Sequence, residues 1–336
     1  MIALDLFAGA GGLSLGLQRA GFTVAAAIEQ DRDAATTYAA AHPDVHVMRT
    51  SVEEVDFSPW RDGIDLLAGG PPCQPFSTGG KRLGKSDPRD AMPAMLDAIR
   101  IVRPRAVLIE NVAGLASAKR RPYFLWLLAA LEAQGYSVAS RVLDATEYGV
   151  PQHRRRLLIV GLRRGSFVVP TPTHGPGRGR GLVTVEMALR DVDPGSPNPS
   201  PVVYAKRPHV RPSLHSGLLF NGSGRPLDLH APSPTILAIA GGNKTHFVDT
   251  RGVAERYHRH LLGGGRPRAG RVGGAVRLTL AQSAALQSFP PDMTWAGRRT
   301  VRFRQVGNAV PPLLAEAVCL QIAAALGTRA AARRAA

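Results

Sequence analysis

The sequence predicts an α/β fold with a large Rossmann-like domain and a smaller, irregular second domain. Short apolar runs alternate with helical stretches between Ile2 and Gly161, as expected of strands crossed over by helices. The first run passes straight into a glycine-rich turn and a helix. From Gly165 to about Arg271 the composition shifts to proline, glycine, serine and arginine, with few long helical patterns. With 336 residues the chain is long enough to bury a substantial core.

Composition narrows the partners. Lysine and arginine total 42 against 25 acidic residues, a formal charge of +17, which favours a polyanion such as nucleic acid. Arginine enrichment from a GC-rich genome would give the same balance. Two cysteines cannot build a disulfide framework and neither lies in a metal-like cluster, so no metal is expected and a reducing cytoplasm is the simplest setting. Met1 to Leu17 carries Asp5 and several glycines and has no basic leader, unlike a signal peptide. No uninterrupted apolar run approaches a membrane span, so no membrane is expected.

The elements follow in order. Ile2 to Phe7 reads as a buried strand, Ala8 to Gly12 as a turn, and Leu13 to Ala20 as a helix. Glycines in such a turn let a cofactor pack against bare backbone, and the helix start offers free amides. The next strand, Thr23 to Ile28, ends on Glu29, where a ribose diol would find an acceptor; a helix cap is the other reading. A helix from Ala34 to Ala41 and a short strand from Val45 to Met48 precede Thr50-Ser51-Val52, which could flank an adenine.

The fourth strand, Ile64 to Ala68, runs into Gly69-Gly70-Pro71-Pro72-Cys73-Gln74-Pro75-Phe76-Ser77. Prolines on both sides of Cys73 fix the backbone and the paired glycines allow close approach. A thiol held this way reads as a nucleophile, although a proline-rich turn can simply contain a cysteine. The basic segment Gly79 to Asp90 has the composition of a mobile loop. Met92 to Val102 has helical spacing, and Ala106 to Ile109 forms a strand ending in Glu110-Asn111-Val112. A carboxylate there, in the same sheet as Cys73, is either a catalytic partner or a surface acid.

Tyr123 to Gln134 is an amphipathic helix and Ser137 to Leu143 a strand. Alternation then puts Gln152, Arg154 and Arg156 on one face of an extended segment, a forked set of donors for phosphate or a base carbonyl. The buried strand Leu157 to Gly161 follows. In the irregular region, strands are expected at Pro201 to Tyr204, Leu218 to Phe220 and Thr235 to Ile239. A helix returns at Thr279 to Phe289. Another opens near Arg302 and runs through Ala325, before a frayed arginine and alanine tail.

Six segments, in order, resemble the DNA (cytosine-5) methyltransferase family of the bacterial type. They are Asp5 to Gly12, Gly70 to Gln74, Glu110-Asn111-Val112, the Gln152/Arg154/Arg156 set, Arg277 to Pro290, and Gln305 to Pro312. The resemblance implies a large domain of the S-adenosylmethionine-dependent methyltransferase fold over residues 1–164, a target-recognition small domain over 165–297, and a segment over 298–336 that returns to the catalytic domain. It implies catalysis by Cys73, Glu110, Arg154 and Arg156, with Cys73 adding to carbon 6 of a flipped cytosine, Glu110 holding its N3 edge, Arg156 its O2, and Arg154 supporting the nucleophile loop through phosphate or loop contacts.

For the donor, S-adenosyl-L-methionine, the resemblance implies Phe7, Gly9, Gly11, Gly12, Leu13, Glu29, Pro72 and Asn308. Substrate contacts fall to Gln74, Ser77, Gln152 and Thr235, the last within a threonine-aliphatic pair with Ile236. The chain departs from the family in carrying Ser51 where an acidic residue often meets the adenine, and Gln282 where a glutamate is common. The implied partner is double-stranded DNA, with a cognate restriction endonuclease as a further one; the chain is expected to be a cytoplasmic, nucleoid-associated monomer. A transfer-RNA cytosine methyltransferase and a catalytically silent DNA-binding regulator remain as other readings, the first opposed by the large arginine-rich middle, the second by intact Cys73, Glu110 and Arg156.

Overall fold

The computed structural model describes residues 1–72 and 90–334, with side chains through residue 327. Its centre is one seven-stranded sheet built from β1 (Ile2–Leu6), β2 (Thr23–Ile28), β3 (His46–Met48), β4 (Leu66–Gly69), β5 (Ala106–Val112), β6 (Ser137–Asp144) and β7 (Arg155–Leu162). The strand order is β3-β2-β1-β4-β5-β7-β6, with β7 antiparallel to both of its neighbours. The order reverses between β1 and β4, the switch point at whose carboxyl-end crevice such sheets bind ligands.

The central strands β1, β4, β5 and β7 are apolar on both faces because helices cover both. In β1, Ala3 joins the cluster beneath α1 (Gly12–Arg19) and α9 (Pro312–Arg334), whereas Leu4 and Leu6 join the cluster beneath α3 (Met92–Val102) and α4 (Arg121–Glu132). β5 divides likewise, Ala106 and Leu108 to one side and Val107 and Ile109 to the other. Helix α2 (Arg32–Ala41) starts at Asp31, whose carboxylate caps the amides of Asp33 and Ala34. Asp31, not Glu29, therefore caps this helix.

The second region carries β8 (Tyr204–His209) paired with β9 (Leu218–Phe220), and β10 (Phe247–Asp249) paired with β11 (Ala275–Arg277). With α6 (Val253–Leu262) these strands enclose a small core that includes Phe220, Phe247, Tyr257 and Val272. A separate cluster joins Ala10 of the glycine turn to α5 (Val185–Leu189), Ile236, α7 (Leu280–Ala285) and α8 (Arg299–Asn308). Helix α7 begins in a capping box in which Thr279 and Gln282 satisfy each other's backbone amides, so glutamine serves at that position.

Four expectations are corrected. Thr235 to Ile239 is not a strand, because flanking Pro232 and Pro234 remove donors and the Ile236 amide goes to the Gln152 side chain at 2.9 Å. Helix α6 lies in a region expected to lack long helices; Ala254 and Tyr257 give it a buried face. The C-terminal run is two helices, α8 and α9, broken at Pro311-Pro312, and the expected frayed tail is helical as far as Arg334. Within Arg299–Gly327 an 18-residue window reaches a mean hydropathy of 1.7, long and apolar enough by composition to span a membrane. That character is explained by packing, with Leu314, Ala315, Val318, Cys319 and Ile322 buried against the sheet and α1. Gly16 lets α9 come that close, since a Cβ there would run into Ala315 and the Glu316 backbone.

Candidate active site

On the β1 side of the crevice, the turn after the strand is built from unusual backbone. Phe7 has a φ of 57°, Gly9 of 56° and Gly11 of 86°, all left-handed, and such conformations outside glycine concentrate at functional sites. Ala8 donates to the Ile28 carbonyl at 3.1 Å and Gly9 to Glu29 Oε2 at 2.8 Å, while Asp31 donates to Glu29 Oε1 at 2.7 Å. Glu29 is half-buried, and burial foremost pushes its carboxyl pKa up. Each oxygen keeps a further lone pair for a hydroxyl.

Beneath this turn lies a buried polar chain that the sequence reading did not single out. Ser14 donates to Asp5 Oδ2 at 2.6 Å and shares a 2.6 Å bond with the Tyr38 hydroxyl. Burial pushes the Asp5 carboxyl up to about 7. His42 packs at a tilt against Tyr38 and contacts the Gly11 carbonyl at 3.2 Å, bracing the turn from below. Gly11 and Gly12 are buried and Leu13 packs into the core. A Cβ on Gly12 would collide with the Val310 carbonyl, so the turn lies directly against the segment after Asn308, which is itself exposed.

On the β4 and β5 side, Glu110 sits at the end of β5 and Arg156 at the start of β7, with Val112 and Arg156 in register. Arg156 Nε lies 2.7 Å from Glu110 Oε1, both side chains largely buried. The N–H is not aligned on that oxygen, so Oε1 lacks a directed donor and the contact is electrostatic. Gly70 abuts the same carboxylate, at 3.2 Å from Oε2 to a Cβ built on it. Asn111, next along β5, donates from Nδ2 to the Pro71 carbonyl at 3.1 Å and ties down the stem of the proline loop. Its type and place beside Glu110 at a strand end were the available signal. Pro72 is half-buried above it, and Cys73, Gln74 and Ser77 lie outside the described residues. The other cysteine, Cys319, is buried in the core, and burial pushes its thiol pKa well up.

The expected face of Gln152, Arg154 and Arg156 exists, but it points into the molecule. Gln152 and Arg154 are fully buried. Gln152 Nε2 donates to the Leu286 carbonyl at 3.0 Å and to Gln287 Oε1 at 3.1 Å. Arg154 donates to the carbonyls of Ile236, Gly307 and Ala309 at 3.4, 2.8 and 2.8 Å. Neither is placed to bind phosphate, which corrects the reading of both as donors for phosphate or a base carbonyl. Alternation identifies a face without saying whether water lies beyond it. Half-buried Thr235 donates its hydroxyl to the His153 carbonyl at 2.6 Å. Ser51 bonds Glu53. Among the described residues no group of three or more histidine, cysteine or acidic side chains could hold a metal.

A crevice with a glycine turn and the half-buried Glu29 carboxylate on one side and the Glu110–Arg156 pair on the other suits a group transfer from an adenosine-containing donor, on a Rossmann-like α/β scaffold. Comparison with known proteins agrees in detail. The model of the C-5 cytosine-specific DNA methylase family matches residues 1–192 and 240–324. The Type II methyltransferase M.NgoMIV of Neisseria gonorrhoeae is 34% identical over 96% of this chain and 97% of its own. The Type II methyltransferase M.NaeI of Lentzea aerocolonigenes is 34% identical over 96% of this chain and 75% of its own. A solved structure of a DNMT2 mutant from Spodoptera frugiperda superposes with a TM-score of 0.68 at 15% identity, covering 96% of this chain and 99% of that one, a likeness of fold. The chain belongs to the C-5 cytosine-specific DNA methylase family. It is an enzyme that transfers a methyl group from S-adenosylmethionine to carbon 5 of cytosine in DNA.

Proposed function

We propose that the chain methylates a flipped cytosine within a specific duplex sequence through a covalent adduct on Cys73. The Glu110–Arg156 pair, 2.7 Å apart at the strand ends beside the stem of the cysteine loop, carries this reading. Carbon 5 of cytosine is a weak nucleophile, and addition of the Cys73 thiolate to carbon 6 turns the ring into an enamine. Glu110 then stabilises the proton at N3 and Arg156 holds O2, an acceptor and a donor fixed beside each other before the base arrives. S-adenosylmethionine, when bound, supplies the methyl group that carbon 5 takes. Loss of the carbon 5 proton lets Cys73 depart. With Cys319 sealed in the core, Cys73 is the cysteine left for this role.

On the donor side, Phe7, Gly9, Gly11 and Gly12 form the floor, Glu29 holds the ribose, and Pro72 and Asn308 border the methionine end, with Leu13 acting from the core as support. Gln74, Ser77 and Thr235 belong to the DNA side. Residues 1–164 with 298–336 serve donor and catalysis, and 165–297 reads the target; the family match omits residues 193–239, a segment free to differ between targets. Extruding the base costs about a few kcal/mol, repaid by the pocket and by the +17 charge on the phosphates. The chain acts as a monomer on chromosomal DNA in the cytoplasm, and the Type II names of its relatives favour a cognate restriction endonuclease beside it.

The test is transfer of labelled methyl from S-adenosylmethionine to duplex DNA, with transfer RNA as competitor. Wild type should label DNA preferentially, and Cys73→Ser should label neither. Full activity in Cys73→Ser overturns the mechanism; preference for transfer RNA overturns the substrate.

A further inference from the structure

Helix α8 ends against two prolines, and this leaves its last carbonyls without their usual partners. An α-helical carbonyl accepts from the amide four residues on. For Gly307 that residue is Pro311 and for Asn308 it is Pro312, neither of which has an N–H. The carbonyls around the turn are instead met from elsewhere in the chain. Gln287 Nε2 donates to Val306 at 2.7 Å, and Arg154 Nη2 donates to both Gly307 and Ala309 at 2.8 Å. A guanidinium also complements the negative end of the helix dipole.

The same guanidinium reaches Ile236 through Nη1 at 3.4 Å. Ile236 is held from its other side by Gln152, which accepts its amide at 2.9 Å while bonding Leu286 and Gln287. Gly307 packs so closely on this segment that a Cβ would strike the backbone of Leu237 and Ala238. Two residues on, at the start of β7, stands Arg156, against Glu110. One buried cation therefore touches the turn that carries Asn308 and the segment that carries Thr235, from the position just before the strand that carries Arg156. Burial, foremost, and then Arg156 disfavour its charge, while Glu110 favours it. Among the described residues no carboxylate pairs with it, and its Nε has no partner. Such a cation is a costly device for filling space and an effective one for fixing geometry.

We infer that Arg154 is a positioning residue that caps α8 from across the fold, so that one side chain sets both the donor-side wall at Asn308 and the recognition segment at Thr235-Ile236. This rests on the assignment of Asn308 to the donor pocket. Three variants separate the possibilities: Arg154→Met, Arg154→Lys and Asn308→Ala. Two quantities are read on each, the affinity for S-adenosylhomocysteine without DNA, by calorimetry, and the salt dependence of DNA binding.

Arg154→Met should weaken S-adenosylhomocysteine about 10-fold or more, with Arg154→Lys recovering part of the loss by restoring a charge at the helix end. The slope of log affinity against log salt should not change, because Arg154 meets no phosphate. A slope reduced by about one in either variant makes Arg154 a phosphate contact and overturns the inference. Unchanged S-adenosylhomocysteine affinity in Arg154→Met overturns it as well. Should Arg154→Met fail to fold, Gln287→Met, which strips the Val306 carbonyl of the same cap, must weaken S-adenosylhomocysteine, and a normal affinity there overturns the inference. Asn308→Ala binding S-adenosylhomocysteine as wild type does would instead remove the pocket assignment on which the inference stands.

Discussion

The seven-stranded sheet and the region from Val202 to Arg277 are held together by different means. In the sheet, β1, β4, β5 and β7 bury apolar side chains on both faces, and helices complete two continuous clusters. In the smaller region the core is a handful of aromatic and aliphatic residues, and individual polar groups tie the loops. Arg277, 1% exposed, donates to the Thr245 carbonyl at 2.6 Å and to the Asn221 side chain at 2.8 Å, and burial pulls its pKa down to about 10. Asn221 in turn accepts from Val203 at 2.9 Å and donates to Pro201 at 3.1 Å. His246 accepts the Arg225 amide at Nδ1 and meets the Thr235 carbonyl through Nε2. Apolar area is interchangeable among residues, whereas a polar tie depends on one donor and one acceptor. A scaffold built the first way tolerates exchange of one apolar residue for another, while loops built the second way lose a tie with each donor or acceptor that changes.

The largest effect should come from Leu108→Ala in the middle of β5. A buried leucine lost from a packed sheet costs about 2–5 kcal/mol, visible as a lower midpoint in urea unfolding; a loss under about 1 kcal/mol would mean that the sheet is not the rigid partner in this comparison.

Asp5 is a buried polar exception in the middle of the sheet, and it yields a pH signature. Its folded pKa of about 7 stands above its ordinary 3.8, so the folded state holds this proton more tightly than the unfolded one. The favourable contribution is complete below about pH 4 and disappears as pH rises through about 7, a change of at most about 4 kcal/mol. Asp5→Asn keeps an acceptor for Ser14 and should lack that decline, so melting temperatures of the two proteins should diverge with rising pH. Parallel curves would show that Asp5 ionises normally.

The smallest and most local effect is expected from Arg277→Met. Stranding the Thr245 and Asn221 acceptors costs about 1–3 kcal/mol, confined to the smaller region. Limited proteolysis should speed up between residues 202 and 277 while S-adenosylhomocysteine affinity stays near wild type. Uniform destabilisation of the whole chain would erase the distinction between the regions.

Legibility in the sequence follows the same division. The Gly9–Gly12 turn, Glu29 at the end of β2 and Glu110 at the end of β5 are local signals, each set by residues within a few positions along the chain. The strands of the sheet were likewise visible as apolar runs. Helix α6 escaped because its buried Ala254 and Tyr257 are diluted by arginine and histidine, and the Thr235 segment resembled a strand because β-branched residues outweighed its prolines. The inward turn of Gln152 and Arg154 had no local signal at all. Their acceptors lie 134 and 153 residues away, at Leu286 and Gly307.

By itself, then, the sequence determined the order of strands in the large sheet, the glycine turn after the first of them and the chemical identity of the groups at the strand ends, because these depend on short-range sterics and periodicity. Tertiary structure alone decided that Glu110 meets Arg156, that Asn111 anchors Pro71, and that Arg154 caps a helix instead of facing DNA. Those pairings depend on which strand lies beside which and on which side of each water is excluded, and neither is written into the spacing of residues along the chain.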